Sequence, residues 1–311
     1  MDLMLILRNL AIILVAAKLC GLLARKLKAP QVVGEIIAGL IIGPSLLNLV
    51  VKDDFISGMA EIGVILLMFS AGLGTDLKEL VKTGPVALLI ALSGVAVPLV
   101  GGMLVYMGFG FGTPDTRLYE GIFMGTVLAA TSVSITVETL KELGKLKTKS
   151  GNAILGAAII DDVLGIVALT LVTSMADESV KISVVLLKIV AFFAFAGVIG
   201  FIFYKVFKKW TDQAEKGLRR HAIMAFVFCL LMAYVAEKFF GVADITGAFI
   251  AGLIISNTSK SDFVLKKFDT MSYMLLSPVF FASIGLKVEL PKMSTAIVGF
   301  AVVLTIVAIL T

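Results

Sequence analysis

"GEIIAGLIIG" at 34–43 returns as "GAFIAGLIIS" at 247–256, with seven of ten residues identical at an offset of 213. The same offset, without a gap, lays "SAGLGTDL" (70–77) on "SIGLKVEL" (283–290), where Ser70/Ser283, Gly72/Gly285, Leu73/Leu286 and Leu77/Leu290 coincide. One apolar match is what low complexity produces, but two at one offset imply a duplicated unit. The fold then depends on which way each copy faces, and that is set by the segments between them.

Those segments are membrane helices. The 311-residue chain is 59% hydrophobic and 16% charged, with a mean hydropathy of +1.06, far outside soluble composition. Apolar runs of roughly 20 residues, each able to cross about 30 Å of hydrocarbon, recur along its length. They are continuous, as in "VALLIALSGVAVPLVGGMLVYMGF" (86–109), which excludes the short alternating strands of a membrane barrel. The first run, "LMLILRNLAIILVAAKLCGLLA", has its basic cluster behind it and no small-residue cleavage site, so it reads as helix 1 and not as a signal peptide. Cutting at Pro, Gly and charged clusters gives eleven spans: 4–24, 31–50, 58–76, 84–108, 119–140, 151–174, 183–207, 219–237, 241–257, 270–287 and 292–311. The connections are short, and no extramembrane domain is expected.

Lys and Arg alternate between the two sides. Loops after odd-numbered helices carry 18 of them and the other side six: Lys52, Arg117, Lys181, Lys238, Lys287 and Lys292. The odd loops are therefore expected in the cytoplasm and the N-terminus outside. The offset match pairs helix 2 with helix 9 and helix 3 with helix 10. A shift of seven helices is odd, so the copies run in opposite directions, an inverted-topology repeat of the kind that builds secondary transporters.

The expected organisation is helix 1, a first repeat of helices 2–6 and helix 7 within 1–203, then a basic cytoplasmic linker at 204–221. Helix 8 and a partial second repeat, helices 9–11, occupy 222–311. Mates of helices 5 and 6 are expected beyond residue 311, giving 13 helices in all, of which about 11 are present.

Charge inside the hydrocarbon is where chemistry is expected. "GAAIIDDVLGIVAL" (156–169) sets Asp161 and Asp162 near the middle of helix 6, with about a dozen uncharged residues before Asp177. A carboxylate at that depth costs at least about 2.5 kcal/mol, so it faces a water-filled cavity, pairs, or carries a proton. Its ionised oxygens are also hard ligands for a small cation such as Na⁺. One site that takes either H⁺ or a metal ion is the minimum machinery for antiport. Adjacent residues lie about 100° apart around a helix, so the two do not face one cavity equally. Asp162 is read as the essential member and Asp161 as assisting. In helix 5, "GTVLAATSVSITVETL" (125–140) crowds hydroxyl and β-branched residues at its centre. Such hydroxyls often bond back to the preceding turn, but they also mark places where a transporter helix breaks and frees backbone groups for a cation. Thr131 and Ser132 are the expected break.

Other polar residues read as structural: Glu35 and Glu61 in first helical turns, Lys18 and Lys188 within snorkelling reach of an interface, Asp244 as a cap, and His221 as a solvated loop residue. Pro278 predicts a kink. Cys20 and Cys229 show neither a disulfide nor a metal spacing. The net charge of +5 resides in loops, which membrane topology explains without nucleic acid. The basic segment "KKWTDQAEKGLRRH" (208–221) is expected against anionic lipid headgroups. No Gly-rich phosphate loop, His/Cys metal set or nucleophile triad is found, so neither an enzyme nor a cofactor is implied.

"APQVVGEIIAGLIIGPSLL", "LLMFSAGL", "ATSVSIT", "GAAIIDDVLGI" and "ITGAFIAGLIIS" together resemble the cation:proton antiporter-2 family, the NapA-like and Kef-type bacterial sodium or potassium/proton exchangers. That resemblance spans essentially the whole chain. It implies that Asp161 and Asp162 hold the ion and proton, that Thr131, Ser132, Val133 and Ser134 form an unwound crossing segment, and that the protein is a homodimer whose core moves against a dimerisation domain. A diacid is similar to the electrogenic sodium type. The family's second crossing helix and a helix 11 lysine have no counterpart before Thr311, and no cytosolic nucleotide-binding domain is seen, which weakens a gated potassium-efflux reading. The readings from other classes are a passive cation channel and a membrane sensor without flux. A single diacid within an inverted repeat favours a carrier over a channel, which gathers its acids by symmetry about a pore.

Overall fold

The computed structural model describes residues 3–51, 53–176, 181–213, 218–289 and 294–311. Lys52, Asp177, Lys216, Leu290 and Lys292, which enter the readings above, lie outside them. The described residues form helices α1 (Leu3–Lys26), α2 (Gln31–Ile42), α3 (Asp54–Gly74), α4 (Leu77–Gly108), α5 (Arg117–Ala129), α6 (Val133–Glu142), α7 (Lys149–Ala176), α8 (Ile182–Gln213), α9 (Leu218–Val235), α10 (Asp244–Ser256), α11 (Ser261–Met271), α12 (Ser277–Leu286) and α13 (Thr295–Leu310). Among them, seven stretches are long and apolar enough to cross a membrane, while α2, α10 and α13 are apolar but shorter.

Helix boundaries follow local chemistry. Asp53 accepts the Ile56 N–H at 2.8 Å and starts α3, so Glu61 sits beyond the first turn. Asp76 accepts the Lys78 N–H at 2.8 Å and starts α4 well before the expected 84, and the helix continues through Pro85 and Pro98. The span expected over 31–50 stops instead at Ile42, because Gly43 turns extended and Pro44 follows. The span expected from 270 is the second half of a longer rod that begins at Ser261, whose amphipathic first half, "SDFVLKKFDT", was too charged to read as membrane. Before Pro278 the rod widens into a π turn over Ser272–Leu276; a proline lacks the N–H and crowds the preceding turn, and the extra residue absorbs both. A second π turn, Ala236–Phe240, closes α9 and ends at Gly241 with φ +66°.

The expected linker at 204–221 is mostly helix. α8 runs on to Gln213 because Phe203, Phe207 and Trp210 share one face; Phe203 stacks on Phe228 of α9 at 3.7 Å. His221 belongs to α9 and is buried at 1% exposure against Trp210, ring centroids 4.3 Å apart, which corrects its reading as a solvated residue. Lys18 donates to the Tyr273 hydroxyl at 2.6 Å, tying α1 to the π turn.

Packing divides the helices. α3 lies against α10 and α12, α2 against α1 and α12, and α9 against α10; α4 lies against α5, α7 and α13; α8 touches α7 and α10 between the two groups. The repeat is visible in the closest crossings. A Cβ on Gly39 would stand 1.9 Å from the Ala282 carbonyl oxygen, and one on Gly285 would stand 2.2 Å from that of Ile36. At the other crossing, Gly72 faces the Phe249 oxygen at 2.2 Å and Gly252 faces that of Phe69 at 2.2 Å. At the 213-residue offset Gly39 corresponds to Gly252 and Gly72 to Gly285, so α2 on α12 and α10 on α3 are one contact made twice. The relation also reaches α1 and α9, which the sequence match did not: Gly34 meets the Cys20 oxygen and its mate Gly247 meets the Met232 oxygen. The short helix α10 is thus largely buried by its neighbours, while α2 buries one face and leaves Val33 and Ile37 exposed.

Candidate functional site

Asp161 and Asp162 lie midway along α7. Asp161 is 8% exposed and turned toward the junction of α5 and α6, where its Oδ2 accepts the Thr131 N–H at 3.3 Å. Asp162, half-buried, lines a cleft of about 470 Å³ together with Asp161, Phe123, Thr126, Ala130 and Thr131 from the broken helix and Gly165, Ile166 and Leu169 from α7. The carboxylates, threonine hydroxyls and backbone at the break are the polar groups of an otherwise apolar cleft, a setting that concentrates electrostatic interaction.

The break is built by the sequence at Ala130–Ser132. Ala130 (φ −64°, ψ 110°) ends α5 in extended geometry, and Ser132 (φ −83°, ψ 106°) begins α6. The Ser132 Oγ accepts the Ile135 N–H at 3.3 Å as an N-cap, the Thr136 hydroxyl donates to the Ser132 carbonyl at 3.0 Å, and the Thr131 hydroxyl donates to Ala129 O at 3.3 Å. Short hydroxyl side chains thus give this backbone partners that a continuous helix would have supplied. Two half-helices meet here, with the negative end of the α5 dipole and the positive end of the α6 dipole beside a carboxylate. In the last turn of α5 the Thr126 carbonyl accepts the Ala130 N–H at 3.2 Å and that of Ala129 accepts the Thr131 hydroxyl, which leaves the carbonyls of Val127 and Leu128 without a partner among the described residues, while Thr131 N–H serves the acid. Ser132→Ala should cost roughly 1 kcal/mol of α6 stability, read as a lower melting temperature, whereas Ser132→Asp should hold it.

Of the four crossing-segment residues expected as ligands, Thr131 is the one that lines the cleft. Ser132 is engaged as a cap, and Val133 and Ser134 are buried at 2% and 4% exposure, Val133 in the main hydrophobic core. Thr126 and Phe123, both absent from the expected set, line the cleft; Thr126 donates to the Ile122 carbonyl at 3.0 Å and repeats the polar position one to two turns before the break.

The far end of α6 is anchored. The Gln31 N–H donates to Glu142 Oε2 at 2.7 Å, Lys141 pairs with Asp269, and the Gln31 amide donates to the buried Glu35 at 3.0 Å. These groups line a second, polar cavity of about 200 Å³ that also holds Glu138, Arg25 and Tyr273.

Residues 13–311 match the family described as "Sodium/hydrogen exchanger, transmembrane". The chain is 37% identical to the Na⁺/H⁺-K⁺ antiporter GerN of Bacillus cereus over 97% of its length and 76% of the relative. It is 38% identical to the probable Na⁺/H⁺ antiporter GerT of the same organism, covering 97% of this chain and 79% of the relative. A Na⁺/H⁺ antiporter of Enterococcus hirae is 37% identical, with 97% and 78% covered. In fold, the chain superposes on the sodium proton antiporter MjNhaP1 of Methanocaldococcus jannaschii with a TM-score of 0.73 at 21% identity, covering 97% of this chain and 74% of that one.

Proposed function

The chain belongs to the sodium/hydrogen exchanger family, and on that premise we propose that it exchanges a monovalent cation, sodium foremost, for protons through the Asp161/Asp162 site. The observation that carries the site assignment is the broken helix: Thr131 N–H on Asp161 binds the α7 diacid to the Ala130–Ser132 break beside the same cleft. In this reading a cation is held by carboxylate oxygens and by carbonyls freed at the end of α5, and it leaves when protons take the carboxylates. Each turnover moves a cation one way and protons the other; the two compete for the same oxygens, and coupling follows because an empty, doubly charged site in an apolar surrounding does not change sides. Alternating access follows from movement of the helices around α4, α5 and α7 against those around α3, α10 and α12. The cation and proton are the only small ligands proposed, with no cofactor.

Placement in the NapA-like and Kef-type branch goes further and rests on the motif resemblance. So do the homodimer and the bacterial plasma membrane, while the N-out orientation rests on the uneven distribution of Lys and Arg between the loops. Potassium is the second cation to test, since GerN is named for both ions.

The test is a pH dye inside proteoliposomes holding the full-length protein. A sodium gradient should drive proton movement in the opposite direction, and added potassium should report the alternative. Sodium flux with no proton movement would make the protein a channel, and no flux of either ion would leave a sensor.

A further inference from the structure

A groove of about 420 Å³, separate from the diacid cleft, opens between α4 and α7 on one side and α8 and α10 on the other. Every residue that lines it is apolar. From Phe193 to Phe201 of α8 it extends about 12 Å, close to the roughly 15 Å depth of one leaflet in a 30 Å hydrocarbon core. Its walls stand apart at two glycines: a Cβ on Gly84 of α4 or on Gly197 of α8 would meet nothing within 4 Å. One end lies at Leu77, Phe201 and Ile254, beside the start of α4 and the end of α10; the other reaches Ile159 and Ile160, next in sequence to Asp161.

The mouth is where the charges are. The Lys205 ammonium stands 4.5 Å from the centroid of the Phe201 ring, on the rim, and the exposed Lys78 follows Leu77. Of the other charged groups on this end of α4, Asp76 caps the helix and Glu79 faces Lys82 at 3.8 Å. Lys78 and Lys205 form no ion pair among the described residues. An apolar slot one leaflet deep, with the Lys205 ammonium on its rim and an exposed lysine next in sequence to its lining residue Leu77, matches a molecule with a long hydrocarbon chain and a negative head.

We propose that this groove seats one acyl chain of an anionic glycerophospholipid, its phosphate held by Lys78 and Lys205. The chain then fills the gap between the two groups of helices, and its tip ends beside the residues that precede the diacid. The lipid is a wedge between parts that the exchange reading sets in relative motion, but its binding does not depend on that reading, and the test reads lipid alone.

Native mass spectrometry of the full-length protein in mild detergent should show one retained phospholipid per chain, phosphatidylglycerol in preference to phosphatidylethanolamine. Gly197→Leu and Gly84→Leu, whose new side chains enter the open groove, should lose it, whereas Gly94→Leu, elsewhere on α4, should keep it. Lys78→Gln with Lys205→Gln should reduce the preference for phosphatidylglycerol by about tenfold or more, since each lysine near a surface strengthens anionic-lipid contact. Both substitutions are on the surface, so this variant keeps the test decisive if a groove variant fails to fold. Folded groove variants that retain as much lipid as the wild type would overturn the proposal. So would a headgroup preference that the lysine variant leaves unchanged. Cross-linking of Gly197→Cys to a second polypeptide, with no lipid retained by the wild type, would assign the groove to protein instead.

Discussion

Asp162→Asn should reduce sodium-driven proton movement in proteoliposomes to the level of protein-free vesicles while leaving the protein folded. Asp162 lines the cleft half-buried, and no hydrogen bond among the described residues holds its carboxylate in place, so the amide removes charge and a titratable group without removing a structural contact. Asp161→Asn is different. Its remaining carbonyl oxygen can still accept the Thr131 N–H, so the break keeps its geometry while one negative charge is lost. The expected signature is a raised KM for sodium with residual turnover. Asp161→Ala, which also abandons the Thr131 N–H, should be the more damaging change at that position. Sodium-coupled proton movement surviving in Asp162→Asn would move the transport site off this residue. Equal losses in both asparagine variants would remove the division of roles between the two acids.

The second large effect is on folding. Gly252→Val would push a Cβ to 2.2 Å from the Phe69 carbonyl oxygen and 2.8 Å from the Leu73 nitrogen, both backbone atoms of α3 that cannot rotate away. The helices must separate, and overpacking of this kind costs about 1–3 kcal/mol or more. Melting of the purified protein should show a large drop in midpoint, and the yield of monodisperse protein should fall with it. Gly39→Val, the repeat mate, should do the same. Gly58→Ala in α3 is the control: its Cβ would meet nothing within 4 Å, and removing a helical glycine should be neutral or gain up to about 1 kcal/mol. A harmless Gly252→Val, or a harmful Gly58→Ala, would show that close crossing is not what these glycines provide.

These two predictions mark what could be read in the sequence. The repeat was legible because close approach accepts no other side chain, so Gly39, Gly72, Gly252 and Gly285 keep their register in both copies and the 213-residue offset survives, although the sequence did not show that these glycines mark crossings. The diacid was legible because charge in hydrocarbon is costly and so stands out. The break at Thr131 and Ser132 followed from hydroxyls that compete for backbone groups. What remained hidden depends on neighbours that composition cannot name. Val133 and Ser134 belong to the same polar run as Thr131, and only the direction of the first turn of α6 sends them into packing rather than the cleft. His221 ends a basic stretch and reads as solvated, yet the continuation of α8 brings Trp210 over it. The early stop of α2 was masked by "LLNLVV" after Gly43 and Pro44, apolar residues that prolong the hydropathy of the run without prolonging the helix. The first half of the rod at 261–286 was missed for the opposite reason, its charges outweighing an apolar face.

The doubled crossing has an energetic meaning as well. Both crossings, α2 on α12 and α10 on α3, lie within one of the two groups of helices that the proposed exchange sets in relative motion, so Gly39–Gly285 and Gly252–Gly72 would keep their contacts in a form open to either face of the membrane. They add nothing to a resting bias between those forms, which has to originate at contacts outside these crossings.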